Sequence, residues 1–255
     1  MIFHNINKIV CMMIGLINSN LGFSSLKKRG EILELINPSL KGIVVYICIL
    51  LLALSSCKST EETQKESLPY YNSADFTPNW YTKKQLDTLK LHKIADFSFI
   101  DQDGKKVSSG NVKGKIYVAN FFFTICPSIC PTMTKNLLVV QHTFKNDADL
   151  LMLSHSVMPA TDTVAQLKKY ANRWKIDSQR WHLLTGEKDK IYALARQSYF
   201  AEKEIGLQKD KSEFLHTENA FLIDKNGYIR GVYNATLPLD IENLVKDIKV
   251  LKAIK

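Results

Sequence analysis

The chain has 255 residues, a formal net charge of +9, and 45% hydrophobic residues. That length is sufficient for one globular domain with a sizeable core, even when an N-terminal targeting segment is set aside. The lysines alternate with acids along the predicted helices and form no dense basic block with interleaved aromatic residues, so nucleic acid is not an expected partner. The charge predicts a solvated basic surface, with attraction to an anionic membrane face as the alternative.

The N-terminal quarter carries a predicted targeting signal. Lys41 is followed by the apolar run 43–54 and then by Ser55-Ser56-Cys57. A positive flank, a short apolar run and small residues before a cysteine are typical of a secretory signal, and the run is too short for an ordinary membrane span. Residues 54–57 also resemble the lipobox of bacterial lipoproteins, which implies lipidation of Cys57. An uncleaved signal anchor is the alternative, and both interpretations tether the domain outside the cytoplasm.

The signal is preceded by forty residues without a clear period. Because signals normally open a chain, we predict that translation begins later than Met1. Residues 1–57 are therefore interpreted as an N-terminal extension with a lipoprotein-type signal or anchor. The following residues, 58–90, are rich in Ser, Thr, Glu and Lys and are predicted to form a polar tether. The folded domain is predicted over residues 91–255.

Within that domain, the apolar pattern predicts an N-terminal β-hairpin and then strands that alternate with amphipathic helices. The predicted strands are 94–100, 105–107, 115–123, 150–154, 181–184, 220–223 and 228–233. The predicted helices are 132–144, 163–174, 188–197 and 239–251, the second of them capped by Thr161 or Asp162. This order predicts an α/β domain with a thioredoxin-like fold, in which helices flank a mixed central sheet.

Only two of the five cysteines, Cys126 and Cys130, fall in the predicted domain, which excludes a disulfide framework. At a helix start they would share one face, with Cα atoms about 6 Å apart, close enough for a disulfide or for one shared metal ion. The positive end of the helix is expected to lower both thiol pKa values. A buried structural pair is the alternative, which the flanking Pro127 and Pro131 at a strand end disfavour.

The run Phe123-Thr124-Ile125-Cys126-Pro127-Ser128-Ile129-Cys130-Pro131, together with His216 ahead of the last predicted hairpin, resembles the Sco (SenC) family of copper-binding cytochrome c oxidase assembly proteins. The likeness extends from about Ile94 to the C-terminus. It implies a thioredoxin-like fold in which Cys126, Cys130 and His216 bind copper, as Cu(I) or Cu(II). The implied partners are the copper-bearing subunit of the oxidase, other copper chaperones and thioredoxin-like reductants, on the periplasmic side of the cell envelope.

Coordination chemistry agrees with that resemblance. Two thiolates are soft ligands that favour Cu(I), and an imidazole completes a three-coordinate site that also accepts Cu(II). Zinc usually takes a fourth protein ligand or a water. Three residues separate the two cysteines, whereas an ordinary thioredoxin-like oxidoreductase has two. The wider spacing favours a metal between the sulfurs and still permits a disulfide.

Possible auxiliary residues follow the strand predicted at 150–154. Asp162 and Pro159 correspond to residues of the family, whereas Met158 replaces a family aspartate just before that proline. The thioether of Met158 is a soft donor, and His155 lies three residues earlier in a segment expected near the cysteine loop. We therefore hypothesise that Met158 or His155 contacts copper transiently. Packing within the domain is the alternative for both residues.

Two functions are compatible with these features. The first is a membrane-tethered copper chaperone that passes copper to the oxidase by exchange of thiolate ligands. The second is a thiol-disulfide oxidoreductase in which Cys126 and Cys130 keep the cysteines of the oxidase subunit reduced. A peroxiredoxin-like peroxidase is less favoured, because Thr124-Ile125-Cys126 is one residue shorter than the Thr-x-x-Cys element of peroxiredoxins.

Overall fold

The computed structural model describes residues 67–201 and 217–253. The strands of this part of the chain are β1 (Tyr70–Tyr71), β2 (Pro78–Asn79), β3 (Ser98–Ile100), β4 (Lys106–Ser108), β5 (Ile116–Phe122), β6 (Leu150–Ser156), β7 (Trp181–Leu184), β8 (Asn219–Ile223) and β9 (Ile229–Asn234). The helices are α1 (Lys83–Thr88), α2 (Ser109–Val112), α3 (Ile129–Thr143), α4 (Val164–Trp174), α5 (Lys188–Ala193) and α6 (Pro238–Ala253). A π-helical turn, Leu194–Ser198, continues α5.

A five-stranded sheet with the order β7-β6-β5-β8-β9 forms the centre of the domain. Strands β5, β6 and β7 run parallel, whereas β8 is antiparallel to both β5 and β9. Strands β3 and β4 pair separately as the expected N-terminal hairpin. The predicted mixed sheet and thioredoxin-like α/β fold are therefore confirmed.

Two hydrophobic cores pack against opposite faces of the sheet, because successive side chains of a strand point to opposite sides. In β5, Val118 and Phe122 belong to the first core, whereas Ala119 and Phe121 belong to the second. Helices α3, α4 and α6 contribute to the first core, and α5, the π-helical turn and the β3–β4 hairpin to the second. Every residue of β5 is buried, as its continuous apolar run predicts.

Helix α4 begins differently from the prediction. Its N-terminal cap is Thr163, whose side chain accepts a hydrogen bond from the Gln166 N–H at 3.3 Å. The prediction that Thr161 or Asp162 caps this helix is therefore wrong. Both are polar residues suited to capping, but the carboxylate of Asp162 is fully buried and bonded to other parts of the chain.

The N-terminal part of the described chain folds onto the domain. Strands β1 and β2 pair with each other, and Leu68 is buried in the first core. The polar tether predicted over residues 58–90 therefore does not hold for residues 67–90, which form β1, β2 and α1 and bury Leu68. It stays a prediction for residues 58–66, which lie outside the described residues together with the signal and Cys57. Among the helices of residues 67–201 and 217–253, none is long and apolar enough to cross a membrane.

A buried arginine holds this N-terminal segment in place. The guanidinium of Arg230 in β9 donates hydrogen bonds to the carbonyl oxygens of Leu68 and Pro69 and forms an ion pair with Asp224 at 3.1 Å. It also lies 3.8 Å from the centre of the Tyr70 ring. Both charged residues of the pair are nearly inaccessible to solvent. One cation therefore joins the start of the described chain to the end of the sheet that carries the β8–β9 turn.

Candidate metal centre

The two cysteines lie at one edge of the sheet, where the parallel strands β5 and β6 end. The N–H of Val157, just after β6, donates to the carbonyl oxygen of Phe122 at 2.9 Å, so the loops that follow both strands leave the sheet together. Cys126 lies in the loop between β5 and α3, and Cys130 lies in the first turn of α3. The predicted strand-to-helix junction is therefore present, at the edge where α/β folds usually place their sites.

Helix α3 begins at Ile129, three residues before its predicted start at Thr132. The apolar spacing indicated the helix from Thr132, and Pro131 was expected to fit the first turn, where the structure places it. A proline is tolerated there because the first four N–H groups of a helix have no intrahelical acceptor. This shift brings Cys130 into the helix and leaves Cys126 just ahead of it.

The two thiols lie next to each other beneath the surface. Cys126 is 9% exposed and Cys130 is 3% exposed, and both are free thiols in the described structure. The N–H of Cys130 donates to the sulfur of Cys126 at 3.5 Å. The surrounding core includes Phe122, Met133 and Ala235. The pair therefore occupies an apolar environment at the N-terminus of α3.

The pKa values of the two thiols move in opposite directions. Burial opposes ionisation of Cys126, but the N–H groups of Cys130, Ser128 and Ile129 and the Cys130 thiol outweigh it, so the pKa of Cys126 is lowered. Burial raises the pKa of Cys130 to about 12, and the charges of Cys126 and Asp162 add to this effect. The predicted lowering of both pKa values is confirmed for Cys126 and wrong for Cys130. The N-terminus of the helix stabilises one thiolate, and its neighbour stays a thiol.

Asp162 positions the loop that carries Cys126. Its fully buried carboxylate accepts hydrogen bonds from the backbone N–H of Thr124 at 3.2 Å, from the Thr124 hydroxyl at 2.5 Å and from the Ser156 hydroxyl at 2.5 Å. The amide of Gln166 also donates to the Thr124 hydroxyl at 3.1 Å. Charge-assisted bonds of this kind are stronger than neutral ones. The end of β6 and the start of the cysteine loop are therefore joined through one carboxylate.

Three residues that support the site, Thr124, Ser156 and Gln166, were not predicted from the sequence. The hydroxyls of Thr124 and Ser156 donate hydrogen bonds to Asp162, and the Gln166 amide donates to the Thr124 hydroxyl. A buried carboxylate requires such donors. A threonine and a serine at the ends of two strands predicted as neighbours were the available signal. That signal is weak, since Thr124 and Ser156 are 32 positions apart along the chain.

Met158 lies on the loop after β6, at the edge of the sheet that carries the thiols. Its N–H donates to the Ser156 hydroxyl at 3.1 Å, and its carbonyl oxygen accepts from the N–H groups of Thr161 and Asp162, each at 2.9 Å. The residue is half-buried. The transient contact of Met158 with copper stays a prediction. Met158 lies close to the loop that Asp162 supports.

His155 lies on the opposite side of the sheet from the cysteines. Its ring stacks on Phe121 with centroids 5.3 Å apart, and Phe97, Phe99 and Tyr199 surround it. Phe121 belongs to the second core, whereas both cysteines belong to the first. The next residue, Ser156, points back toward Asp162, as strand alternation requires. The sheet therefore separates this imidazole from the thiols, and the His155 ring packs among the aromatic side chains of the second core.

His155 makes the stability of the domain dependent on pH. Among the residues that the structure describes, neither ring nitrogen of His155 has a hydrogen-bond partner, and burial lowers the pKa of His155 to about 3. An unfolded histidine has a pKa of about 6.5. The stabilisation from the neutral ring is thus complete above pH 6.5 and declines by about 1.4 kcal/mol per pH unit as the pH falls from there toward 3.

We expect His155→Phe to flatten the pH dependence of the free energy of unfolding between pH 4 and 6.5, measured by urea denaturation. The phenyl ring suits the aromatic surroundings and binds no proton on unfolding. His142→Phe is the matched control, because His142 is exposed, and it should leave the dependence in place. An unchanged slope in His155→Phe would contradict the role given to the buried imidazole.

The third predicted ligand, His216, lies outside the described residues, as does the predicted lipidation site Cys57. In the parts of the chain that the structure describes, no group of three or more His, Cys, Asp or Glu side chains is arranged to hold a metal ion. Strand β8 begins at Asn219 and runs antiparallel to β5, with Ala220 opposite Asn120. The chain therefore enters β8 at the edge of the sheet where the thiols lie.

Fold and site together define a class: a thioredoxin-like protein with a two-cysteine centre at the end of its central strand. The SCO1/SenC family model matches residues 86–253, a range that includes the cysteines and His216. The chain therefore belongs to the SCO1/SenC family. The predicted family resemblance is confirmed.

The aligned region includes most of the length of the relatives that this chain resembles. The SCO1 protein homolog of Bacillus subtilis (strain 168) is 30% identical over 166 residues, which are 64% of this chain and 85% of the relative. A relative from Stutzerimonas stutzeri that is named for copper binding is 27% identical over 149 residues, 58% of this chain and 72% of the relative.

Solved structures are similar over the same region. A SCO1/SenC family lipoprotein from Bacillus anthracis str. Ames has a TM-score of 0.56 and 29% identity, covering 63% of this chain and 95% of its own. BsSco, described as containing a disulfide switch and as a member of the Sco family of cytochrome c oxidase assembly proteins, has a TM-score of 0.55 and 30% identity. That comparison covers 64% of this chain and 95% of BsSco.

Proposed function

We propose that this protein is a membrane-tethered copper chaperone, which binds one copper ion through Cys126, Cys130 and His216 and assists maturation of the copper centre of cytochrome c oxidase. The observation that carries the proposal is the pair of adjacent thiols at the N-terminus of α3, with the Cys130 N–H bonded to the Cys126 sulfur. Two soft thiolates in an apolar environment favour Cu(I). The relative named for copper binding supports the same cargo.

The three proposed ligands have different parts in loading. The lowered pKa of Cys126 provides a thiolate that meets the incoming ion first. Cys130 holds its proton in the metal-free protein and releases it when the metal binds, since thiolates are the ligands. His216 would complete the three-coordinate site. The start of β8 at the thiol edge, three residues after His216, supports this assignment.

The surroundings of the thiols suit transfer of copper to another protein. Ile125 is 55% exposed, and Pro127 and Ser128 are also exposed, although the sulfurs beneath them are nearly buried. A ligand of an acceptor protein can therefore approach across this loop. Exchange of one thiolate for a ligand of the acceptor then moves the ion without releasing it to water. The proposed acceptor is the copper-bearing subunit of the oxidase, in line with the family description of BsSco.

The proposed location is the periplasmic side of the cell envelope, with a lipid anchor at Cys57. The apolar run before Cys57 and the lipobox-like residues 54–57 support it. The related structure from Bacillus anthracis is described as a lipoprotein, which supports the same kind of anchor here. Residues 58–66 then provide the tether between the membrane and the folded domain.

A second candidate function is reduction of a disulfide in the oxidase subunit, and the unequal thiol pKa values favour it specifically. The Cys126 thiolate would attack the client disulfide, and Cys130 would then resolve the mixed disulfide. Two electrons and two protons pass to the client, and a Cys126–Cys130 disulfide forms. The disulfide switch described for BsSco supports redox chemistry within the family.

Copper reconstitution of the full chain tests the proposed function. We expect one copper ion to bind per chain. Competition titrations measure the affinity for Cu(I), and absorption and electron paramagnetic resonance spectra detect bound Cu(II). Cys126→Ser and Cys130→Ser should each lose stoichiometric binding, because serine is a poor ligand for Cu(I). Ser128→Ala, an exposed change between the two cysteines, is the matched control and should load normally. Full stoichiometric loading of both cysteine variants would refute the proposal.

A further inference from the structure

A basic surface with exposed apolar side chains lies where the described chain begins. We define the Trp80 patch as Trp80, helix α1, Leu89, Lys90 and Lys93. Trp80 is 60% exposed and Leu89 is 44% exposed. Helix α1, which lies between them, has no buried residue. This part of the chain therefore directs two large apolar side chains outward, together with a helix in which only Leu86 is partly buried.

The charge of the patch has one dominant sign. Its lysines are all exposed, and they are Lys83, Lys84, Lys90 and Lys93. Asp87 is the single acidic residue between Pro78 and Lys93. Single exposed apolar residues are common and need no explanation, but an exposed tryptophan beside several lysines is the composition found at membrane–water interfaces. Lysines close to an anionic lipid surface are attracted to its headgroups.

The patch lies beside the point where the tether reaches the domain. The indole N–H of Trp80 donates to the carbonyl oxygen of Ser67, the first described residue, at 2.9 Å. The hydrogen bonds of Arg230 to Leu68 and Pro69 fix the chain at this position. The ten residues from Cys57 to Ser67 span at most about 36 Å when fully extended. Trp80 is therefore within short reach of the proposed lipid anchor.

The patch and the thiols lie at opposite ends of the sheet. Tyr228 follows the β8–β9 turn and packs against Tyr70 with ring centroids 5.6 Å apart, and the Lys93 ammonium lies 4.7 Å from the Tyr228 ring centre. Because β8 is antiparallel to β5, this turn lies at the end of the sheet away from Cys126. The seven residues of β5 span about 23 Å between the two ends.

We propose that the Trp80 patch docks on an anionic lipid bilayer, with Trp80 and Leu89 in the headgroup region and the lysines against the headgroups. The proposal rests on the membrane anchor of the proposed function. It also gives the domain a fixed orientation: the thiol edge points away from the bilayer, toward an acceptor domain that projects from the same membrane. Copper would thus be presented above the membrane surface, which an isolated tether could not ensure.

The fluorescence of Trp80 provides the test, with the full chain reconstituted in phosphatidylcholine vesicles that contain or lack a minority of phosphatidylglycerol. Acyl chains brominated near the headgroup quench a tryptophan that enters the interface. The signal of Trp80 is obtained by subtracting the spectrum of Trp80→Phe, which keeps Trp174 and Trp181 as background. We expect a blue-shifted, quenched Trp80 signal in the vesicles that contain phosphatidylglycerol.

A charge-reversal variant tests the lysines directly. Lys83→Glu, Lys84→Glu and Lys90→Glu combined should abolish the shift and the quenching of Trp80. The matched control reverses three exposed lysines on other helices, Lys135, Lys169 and Lys188, and should keep both effects. Equal loss in the two triple variants would overturn the proposal, since it would indicate general electrostatic attraction rather than docking through this patch.

The remaining outcomes separate docking from anchoring and from copper binding. A chain that floats with the vesicles but shows no quenching of Trp80 would refute the docking alone, and a chain that does not float would refute the anchor and the docking together. A Trp80 blue shift that depends on protein concentration without vesicles would overturn the proposal in favour of a second copy covering the patch. Copper stoichiometry, measured on the same samples, fails only if the proposed metal site is wrong.

Discussion

Replacing His216 with alanine is expected to weaken Cu(I) binding by more than about a hundredfold while leaving disulfide exchange by the dithiol intact. Changes to residues that only support a metal ligand typically cost 10- to 100-fold in affinity, and removal of a ligand costs more. The exchange reaction uses only Cys126 and Cys130, whose hydrogen bonds within the described chain are made with residues of the β5–α3 junction. The variant therefore separates the two candidate functions.

The measurement combines a competition titration against a Cu(I) chelator with the rate of reduction of a model disulfide by the reduced protein. His142→Ala, which removes an exposed histidine from α3, is the control and should change neither quantity. Full copper affinity in His216→Ala would exclude the three-ligand site. Loss of disulfide exchange together with copper binding would show that His216 supports the dithiol itself, contrary to the expected separation.

Arg230→Leu is expected to lower the free energy of unfolding by about 3 to 5 kcal/mol, the usual cost of removing one partner of a buried ion pair. Asp224 would remain buried without its cation, although the N–H groups of Asn226 and Tyr228 still donate to its other oxygen. The carbonyl oxygens of Leu68 and Pro69 would also lose their donors. The N-terminal segment should then detach more readily from β9.

Urea denaturation measures the loss of stability, and limited proteolysis detects release of residues 67–90. Arg173→Leu, on the exposed side of α4, is the matched control and should cost well under 1 kcal/mol. Adding Asp224→Asn to Arg230→Leu should restore part of the stability, because the amide removes the unpaired charge and can still accept the bonds of the turn. If Arg230→Leu lowers the free energy of unfolding no more than the control does, the stabilising role given to Arg230 is wrong.

The two ends of the central sheet have separate tasks in this view of the protein. At one end, β5 and β6 deliver Cys126, Cys130 and the supporting carboxylate of Asp162 to one loop cluster. At the other end, Arg230 holds the N-terminal segment at Leu68 and Pro69, which in the proposed function arrives from the membrane. A five-stranded sheet between two close-packed hydrophobic cores is stiff, so anchoring at one end defines where the other end points.

Local patterns allowed much of the fold to be predicted. The strand Trp181–Leu184 is found where it was predicted, and β5 differs from its prediction by one residue at each end. Such elements depend on the period and type of residues close together in the chain, which can be read directly. The helix start at Ile129 lies three residues before the predicted one for a local reason as well, because the apolar spacing that indicated the helix begins only at Met133.

By itself, the amino-acid sequence determined the order of the main strands and longer helices after residue 94, the family, and the position of two thiols at a strand-to-helix junction, since these follow from local patterns. It did not indicate β1, β2, α1 or α2, which are short and lack a clear apolar period. Only the tertiary structure decided how the functional groups behave. Asp162 supports Thr124 across 38 positions of the chain, and Arg230 holds Leu68 across 162. The opposite pKa shifts of the thiols and the placement of His155 behind the sheet likewise depend on burial and on distant partners, which no local pattern contains.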